Sequence, residues 1–476
     1  MSSLDLRTVA DDLFLRAVQR PALVEADATW TYGELAAAVR AAAARLRAAG
    51  VGVDDRVYVI AGPGRLALTA AFAALRLGAT PALINPRLTT DEVATLVDLA
   101  GKGAAVVVEP QCTDRAEALP MPAIGMELLE STTGDDRPGD GVAADGLVLF
   151  TSGTTGLPKP VPVPWQTLTA RLAPYVEVAQ PQMRLLCVPL HHVGGLIGSM
   201  VCLLGGHSLA VQSRFDAGEW LRLIEQHRVE LTFMVPTMLA RVVDHPDLAT
   251  TDLSSLQMIT YGASPMSGEL VERLTAAMPH VGLVNTFGQT ETLGGITFTT
   301  PEDAHDPVHR ESVGRLVPGV EIRIVTPGGD EEVEPGQVGE LLVKSSQNVV
   351  DGWLRTGDLV RVDADGYLYP NGRLSDTINR GGEKFGPVEV EAALRTHPLV
   401  TDCAVAGIPD PEMNERVGAV VVSSEPVDAA TLQQWCAERI AKYKTPEIIV
   451  FADEVPLTDM SKVDRKAVVR MVTGGN

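Results

Sequence analysis

The chain has 476 residues, a formal net charge of −22, and is 45% hydrophobic and 21% charged. That length holds roughly two to four domains of ordinary size, and the composition excludes wholesale disorder. A chain this acidic repels a nucleic-acid backbone or an anionic membrane face, which excludes both as bulk partners.

Taken in chain order, Thr31 and Glu34 form a capping-box pattern, predicting a helix through the Ala-rich segment to near Gly50. Residues 56–60 read as a strand, 66–77 as a helix ended by Gly78, and 81–84 as a strand. A helix over 91–99 follows the Thr89 cap, then a strand over 104–108. The same rhythm returns over 185–287. Short apolar strands alternating with helices predict parallel sheets covered on both faces. The longest apolar run, 193–206, is too short and too glycine-rich to span a bilayer. After about Val313 the runs 320–325, 339–343 and 367–369 are short and separated by Gly, Pro and Asp, predicting a small β-rich subdomain over about 313–372. Near Arg373 the texture changes again: a helix over 388–395, strands over 402–406 and 418–422, a helix over 430–441 and a strand over 448–451 predict a compact α+β domain. The expected fold class is α/β, with an N-terminal domain over 1–374 and a small C-terminal domain over 375–476.

Cys112, Cys187, Cys202, Cys403 and Cys436 are scattered, odd in number and without a CxxC pair. They argue for a reducing compartment and against a disulfide framework or structural zinc. The N-terminal residues carry acids where a signal peptide carries a basic start and an apolar run, so the expected location is the cytoplasm. With 8 Lys against 31 Arg, each lysine is worth individual scrutiny.

Residues 147–150 form an apolar run that leads into 151–159, TSGTTGLPK. Glycines let backbone amides approach an anion, while Thr151, Ser152, Thr154, Thr155 and Lys159 add hydroxyls and charge around Gly153. This is phosphate-cradle chemistry, although a Gly/Thr-rich surface loop has the same composition. It is not a Walker A loop: no Gly precedes Lys159, no Ser or Thr follows it, and Pro158, Pro160, Pro162 and Pro164 forbid the required helix.

The loop resembles the signature of the adenylate-forming superfamily of acyl-CoA synthetases, peptide-synthetase adenylation domains and luciferases. Further resemblances follow in family order: 189–195 (PLHHVGG), 261–265 (YGASP), 285–291 (NTFGQTE), 353–358 (WLRTGD), 372–391 with its hinge and thioester loop, and 456–465 with Lys462 and Arg465. The resemblance covers nearly the whole chain. It implies ATP-dependent conversion of a carboxylic acid to acyl-AMP and pyrophosphate, then displacement of AMP by the CoA thiol, with a C-terminal domain that moves between the two steps.

The resemblance also implies roles. Glu291 would bind Mg²⁺, for which a hard oxygen ligand is suitable; a helix-start glutamate favoured by the dipole is the plainer alternative. Thr290 would donate to the α-phosphate. Gly262, Ala263, Ser264, Asn285, Thr286 and Phe287 would hold the adenine, and Asp358 and Arg373 the ribose, unless they are only a turn former and a solvated loop arginine. Lys462 would bridge the carboxylate and the α-phosphate. His192 matches the family histidine lining the acyl or thiol pocket, and a satisfied structural histidine is the alternative. His191, Val193, Gly194, Tyr261, Gly288, Gly294 and Gly295 would wall the acyl pocket, with no fixed cation among them to hold a second carboxylate. Glycine at 288, where acetate-specific relatives are bulky, implies a larger acid: an aromatic or medium aliphatic monocarboxylate. Gly381, Gly382 and Lys384 would flank the thiol channel.

Some positions depart from the family pattern. Ser375 stands at the hinge in place of Asp or Lys, Ser461 replaces a glycine, Phe287 replaces Tyr or Trp, and the segment 344–351 is contracted. Two other readings compete with CoA ligation. One keeps adenylation but transfers to a carrier-protein thiol or an amine, with Arg439, Lys442 and Lys444 facing the carrier or the CoA phosphates, unless they are simply solvated helix charges, which is the default. The other is a non-catalytic nucleotide-binding protein.

Overall fold

The computed structural model describes residues 4–126, 134–151, 159–176, 180–458 and 463–474. Its first layer is a six-stranded sheet, ordered Ala123–Gly125, Ala105–Val108, Arg56–Ile60, Thr80–Ile84, Asp145–Thr151, Lys159–Pro164. The second is a nine-stranded sheet, ordered Arg315–Leu316, Gly294–Phe298, Gly282–Gln289, Met258–Gly262, Leu231–Met234, Met183–Leu186, Ser208–Val211, Pro21–Val24, Thr29–Thr31. The central strands are parallel and read as continuous apolar runs because both faces are covered. The outer strands differ from the expectation. Lys159–Pro164, Thr29–Thr31, Gly294–Phe298 and Arg315–Leu316 pair antiparallel; for the first three the short connection allows a hairpin but not a crossover helix, while a longer irregular connection leads to Arg315–Leu316.

Helices Tyr32–Ala48 and Arg65–Arg76 lie between the two sheets. One core joins Val57, Leu83 and Leu147 of the first sheet to Leu186, Leu209 and Val211 of the second through the buried alanines of these helices. The alanine faces explain a composition rich in Ala yet only 4% aromatic: small side chains bring helices close. The capping box expected at Thr31 is present, and the cap expected at Thr89 is a box as well. Glu34 N–H donates to Thr31 Oγ1 at 3.2 Å while Thr31 N–H donates to the Glu34 carboxylate at 2.7 Å, and Thr89 with Glu92 repeats the pattern. Helix Thr90–Ala100 covers the outer face of the first sheet, and helices Ala217–His227, Pro236–Val243 and Gly268–Ala277 cover that of the second.

The β-rich segment is a four-stranded antiparallel sheet: Glu321–Val325, Gly339–Lys344, Leu354–Val362, Leu368–Arg373. It docks on the nine-stranded sheet through a cluster containing Ile296, Val313, Leu341, Val360 and Leu368, with Phe287 packed against it. Arg315 donates to the Tyr367 hydroxyl, which donates to Asp303, both at 2.7 Å.

The C-terminal part is an α+β unit. Its sheet runs Glu383–Phe385, Ile378–Arg380, Asn414–Ser423, Val400–Asp410, with Ile448–Phe451 parallel to Asn414–Ser423. Helix Ala429–Ala437 stops before the expected residue 441 because the Arg439 and Ile440 amides both close on the Cys436 carbonyl. Arg465, at the start of helix Arg465–Val472, donates to Glu391 at 2.6 Å and Asp376 at 3.1 Å, and Glu391 also accepts from the Val405 amide at 2.9 Å. All five cysteines are buried and free. Burial holds the Cys187, Cys202 and Cys403 thiols up at about 12, so they stay protonated and unreactive. Among the described residues no helix is long and apolar enough to cross a membrane.

Candidate active site

In doubly covered parallel sheets, ligands bind beyond the carboxyl ends of the strands, where helix starts and loops gather. Thr151, Tyr261, Gly262 and the 285–291 segment lie at or just beyond those ends. Thr151 closes Asp145–Thr151 and pairs across the hairpin with Lys159. Ser152, Gly153, Thr154 and Thr155 lie outside the described residues, as does Lys462. Lys159 opens a strand, as expected from prolines that cannot continue a helix; Pro160 and Pro162 face Phe150 and Val148 across the pair.

His191 and His192 follow strand Met183–Leu186, with rings 4.2 Å apart between centroids. His192 occupies the N-cap of helix Val193–Leu204. Gly195 is required there: a Cβ would lie 2.1 Å from the Pro189 carbonyl oxygen. A Cβ at Gly194 would lie 3.1 Å from the Phe233 ring, a neighbour the sequence did not reveal.

Strands Met258–Gly262 and Gly282–Gln289 pair in parallel, setting Tyr261 beside Asn285 and Gly262 beside Thr286. Tyr261 is buried, which pushes its hydroxyl up to about 12, and its partner is the Asn285 side chain. A Cβ on Gly262 would meet the Thr286 carbonyl oxygen at 2.2 Å, so the two backbones approach as only glycine permits. Ala263 then takes φ +70°, a left-handed conformation that turns the chain at Ser264.

Glu291 sits on a three-residue turn, Thr290–Thr292, so no α-helix dipole accounts for it. The Val349 amide donates to its backbone carbonyl at 2.9 Å. The contracted 344–351 segment therefore packs onto this turn, and Asn348 donates to the Val343 carbonyl at 3.0 Å within it.

Gly288 and Gly295 face each other in the antiparallel pair, after a one-residue slip in register at Phe287. The absent side chain at 288 does not simply enlarge a pocket, because a Cβ there would lie 2.0 Å from the Gly294 carbonyl oxygen. Gly288→Ala is therefore expected to cost about 1–3 kcal/mol of stability through overpacking, read as a lower midpoint in urea. An unchanged midpoint would remove this packing requirement.

A cation outside the expected wall residues approaches Gly294. Arg171 of helix Trp165–Leu172 donates through Nε to the Leu293 carbonyl at 3.2 Å and turns Nη2 toward Gly294. It stands far from position 294 in sequence, so no local signal marks it.

Asp358 and Arg373 are cross-strand partners. Arg373 Nε donates to Asp358 Oδ1 at 2.8 Å and Nη2 to the Thr356 carbonyl at 3.2 Å. The Asp358 side chain is 15% exposed and that of Arg373 49%, so the pair opens to solvent on the arginine side. Ser375 lies just after it on a short turn, and its hydroxyl donates to Asp376 at 3.0 Å.

Gly381 and Gly382 form the two-residue connection of a hairpin, at φ +61° and +95°. Two positive φ values at that place demand glycine, which is a folding reason for the pair beside the expected channel. Lys384 is exposed on the following strand. Lys444 is bound to the Glu389 carboxylate at 2.6 and 2.7 Å, and the Arg439 guanidinium lies 3.4 Å from the Trp435 ring centroid.

The fold thus sets the glycine approaches at 262 and 288, the Glu291 carboxylate and the Asp358–Arg373 pair on the nine-stranded sheet and on the sheet docked against it. The chain belongs to the AMP-binding enzyme family, whose model matches residues 14–354, with the C-terminal domain of AMP-binding enzymes matching 389–462. It is 35% identical over 464 residues to a feruloyl-CoA synthase of an Amycolatopsis species, covering 91% of this chain and 92% of that one. It is 33% identical over 481 residues to an indoleacetate–CoA ligase of Aromatoleum aromaticum, covering 93% of each. The O-succinylbenzoate coenzyme A synthetase of Bacillus subtilis, solved with ATP and magnesium ion, superposes with a TM-score of 0.85 at 27% identity, over 98% of this chain and 99% of that one.

Proposed function

We propose that this chain activates an acid larger than acetate, of the aryl or medium-chain class, and delivers it to CoA. The enzyme is an AMP-forming carboxylate–CoA ligase that uses ATP, Mg²⁺ and CoA. A carboxylate oxygen bonds to the α-phosphorus of ATP as pyrophosphate leaves, and the CoA sulfur then bonds to the acyl carbon as AMP leaves. The first step makes a poor acylating agent into a good one; its cost is bringing two anions together, which donors and cations must offset.

The observation that carries the reading is the convergence of the 261–264 turn, the 285–291 segment and the Asp358–Arg373 pair. Phe287 packs on the sheet that holds Asp358, and the Val349 amide ties the same sheet's loop to Glu291. In this reading Tyr261, Gly262, Ala263, Ser264, Asn285, Thr286 and Phe287 flank the base. Asp358 accepts from both ribose hydroxyls while Arg373 orients it. Thr151, Lys159 and Thr290 donate to the phosphates, together with residues 152–155. His191, His192, Val193 and Gly194 line the entry of the acid, and Gly288, Gly294 and Gly295 its far wall. Lys462 bridges carboxylate and α-phosphate.

Magnesium suits this arrangement. Among the described residues no group of three or more acidic, His or Cys side chains gathers for a metal. A single carboxylate, Glu291, fits an ion that keeps its waters and arrives on nucleotide phosphates. The division into 1–374 and 375–476, with Ser375 as the pivot, is part of the proposal, as is a thiol path along Gly381, Gly382 and Lys384. Of the surface considered for a carrier protein, Lys444 is engaged by Glu389 and Arg439 stacks on Trp435, while Lys442 is exposed.

The test is pyrophosphate release from Mg·ATP across a panel of carboxylic acids, with and without CoA, products identified by mass spectrometry. A thioester formed with one class of aryl or medium-chain acids is the expected result. Acyl-AMP that accumulates and ignores CoA would overturn the acceptor, and turnover of acetate alone would overturn the size class.

A further inference from the structure

Arg171 is an arginine with neutral partners in a strongly acidic chain. Nε donates to the Leu293 carbonyl and Nη1 to the Tyr175 hydroxyl, both at 3.2 Å, and the guanidinium lies over the Tyr175 ring at 5.4 Å from its centroid. These contacts fix the plane of the fork without neutralising it, and none of these partners is a carboxylate. The remaining nitrogen, Nη2, faces position 294, where a Cβ would come within 2.9 Å of it. Gly294 has φ +131°, a conformation that excludes other side chains, so nothing at that residue can cover the nitrogen. Gly288 and Gly295 stand beside it, each too close to backbone or to Thr286 Oγ1 to carry a Cβ. The wall is thus backbone thin, with a guanidinium set into it.

We propose that Arg171 is a specificity-determining residue that recognises an acceptor oxygen at the end of the acyl group remote from the reacting carboxylate. This rests on the ligase reading and on the placement of Gly288, Gly294 and Gly295 at the far wall. The acceptor chemistry is common to a second carboxylate and to a ring hydroxyl. A charge-assisted bond made by a pre-set fork favours the acceptor-bearing acid by about ten- to a hundredfold in kcat/KM over its unsubstituted partner.

The experiment measures kcat/KM for thioester formation with two matched pairs, 4-hydroxycinnamic against cinnamic acid and octanedioic against octanoic acid. The full chain is compared with Arg171→Leu and Arg171→Gln, each checked by thermal unfolding. Wild type is expected to favour the acceptor-bearing member of at least one pair, and which pair responds tells hydroxyl from carboxylate. Arg171→Leu is expected to bring that ratio toward one while retaining turnover of the unsubstituted acid. Should that variant fail to fold, Arg171→Gln, which keeps a donor but not the charge, is expected to lose the octanedioic preference or to weaken the hydroxyl one. A wild type without preference in either pair, or a folded variant with the wild-type ratio, overturns the inference. A wild type that turns over no acid of the wider panel overturns the ligase reading itself, and this inference with it.

Discussion

Lys462→Ala is expected to lower acid-dependent pyrophosphate release by about 10²–10³-fold while acyl-AMP supplied ready-made still reacts with CoA at close to the normal rate. The reason lies in the charges. Carboxylate and triphosphate repel as they approach, and the pentacovalent phosphorus gathers further negative charge. A compact ammonium on a flexible stem can follow both groups through that step. Thiol attack on the anhydride has no such need, since AMP departs as an already stabilised anion. Two assays decide it: ATP–pyrophosphate exchange for the first half-reaction and AMP release from synthetic acyl-AMP for the second. Equal loss in both would refute the assignment of Lys462 to adenylation.

Arg465→Met is expected to cost about 3–5 kcal/mol of stability in the C-terminal unit. Its carboxylate partner Glu391 is 5% exposed and loses its counter-charge, while the Val405 carbonyl and Asp376 each lose a donor. Burial opposes the charge on Arg465, but Glu391 and then Asp376 outweigh it and raise the guanidinium pKa above its ordinary value. Urea unfolding of the variant is the measurement, and a midpoint equal to wild type would sink the account. Adding Glu391→Leu should recover much of the loss, because removing both charges leaves none uncompensated.

Local signals were legible and non-local ones were not. The helix starts at Thr31 and Thr89 could be read because a capping signal is written within a few residues, and the strand over 56–60 because all but its first residue, Arg56, are apolar or aromatic. The strand Leu354–Val362 escaped notice. Its middle, Arg355, Thr356, Gly357 and Asp358, is not apolar, and Gly357 at φ +71° with a slip in pairing breaks the alternation. The antiparallel edges were equally hidden, since pairing direction depends on the connection rather than on the strand. At the site, residue types and order marked the turn at 261–264 and the segment 285–291. Asp358 and Arg373 were marked by their motifs, while their cross-strand pairing needed the register of two strands, and the Arg171 approach to Gly294 depends on the docking of separate elements that only the fold reveals.

The proline pattern of Lys159–Pro164 has a consequence for the molecule in a crowded solution. In an antiparallel pair the residues between hydrogen-bonded positions turn their backbone groups outward, and at this edge Pro160 and Pro162 stand at such positions. The exposed rim of the six-stranded sheet therefore lacks the amides that an incoming strand would need, so it resists templated stacking with a second chain. The opposite sheet limits the same hazard by brevity, its outermost strands being three and two residues long. Fifteen strands in two large sheets thereby present, at the Lys159–Pro164 edge, a margin on which another chain finds few amides to pair with.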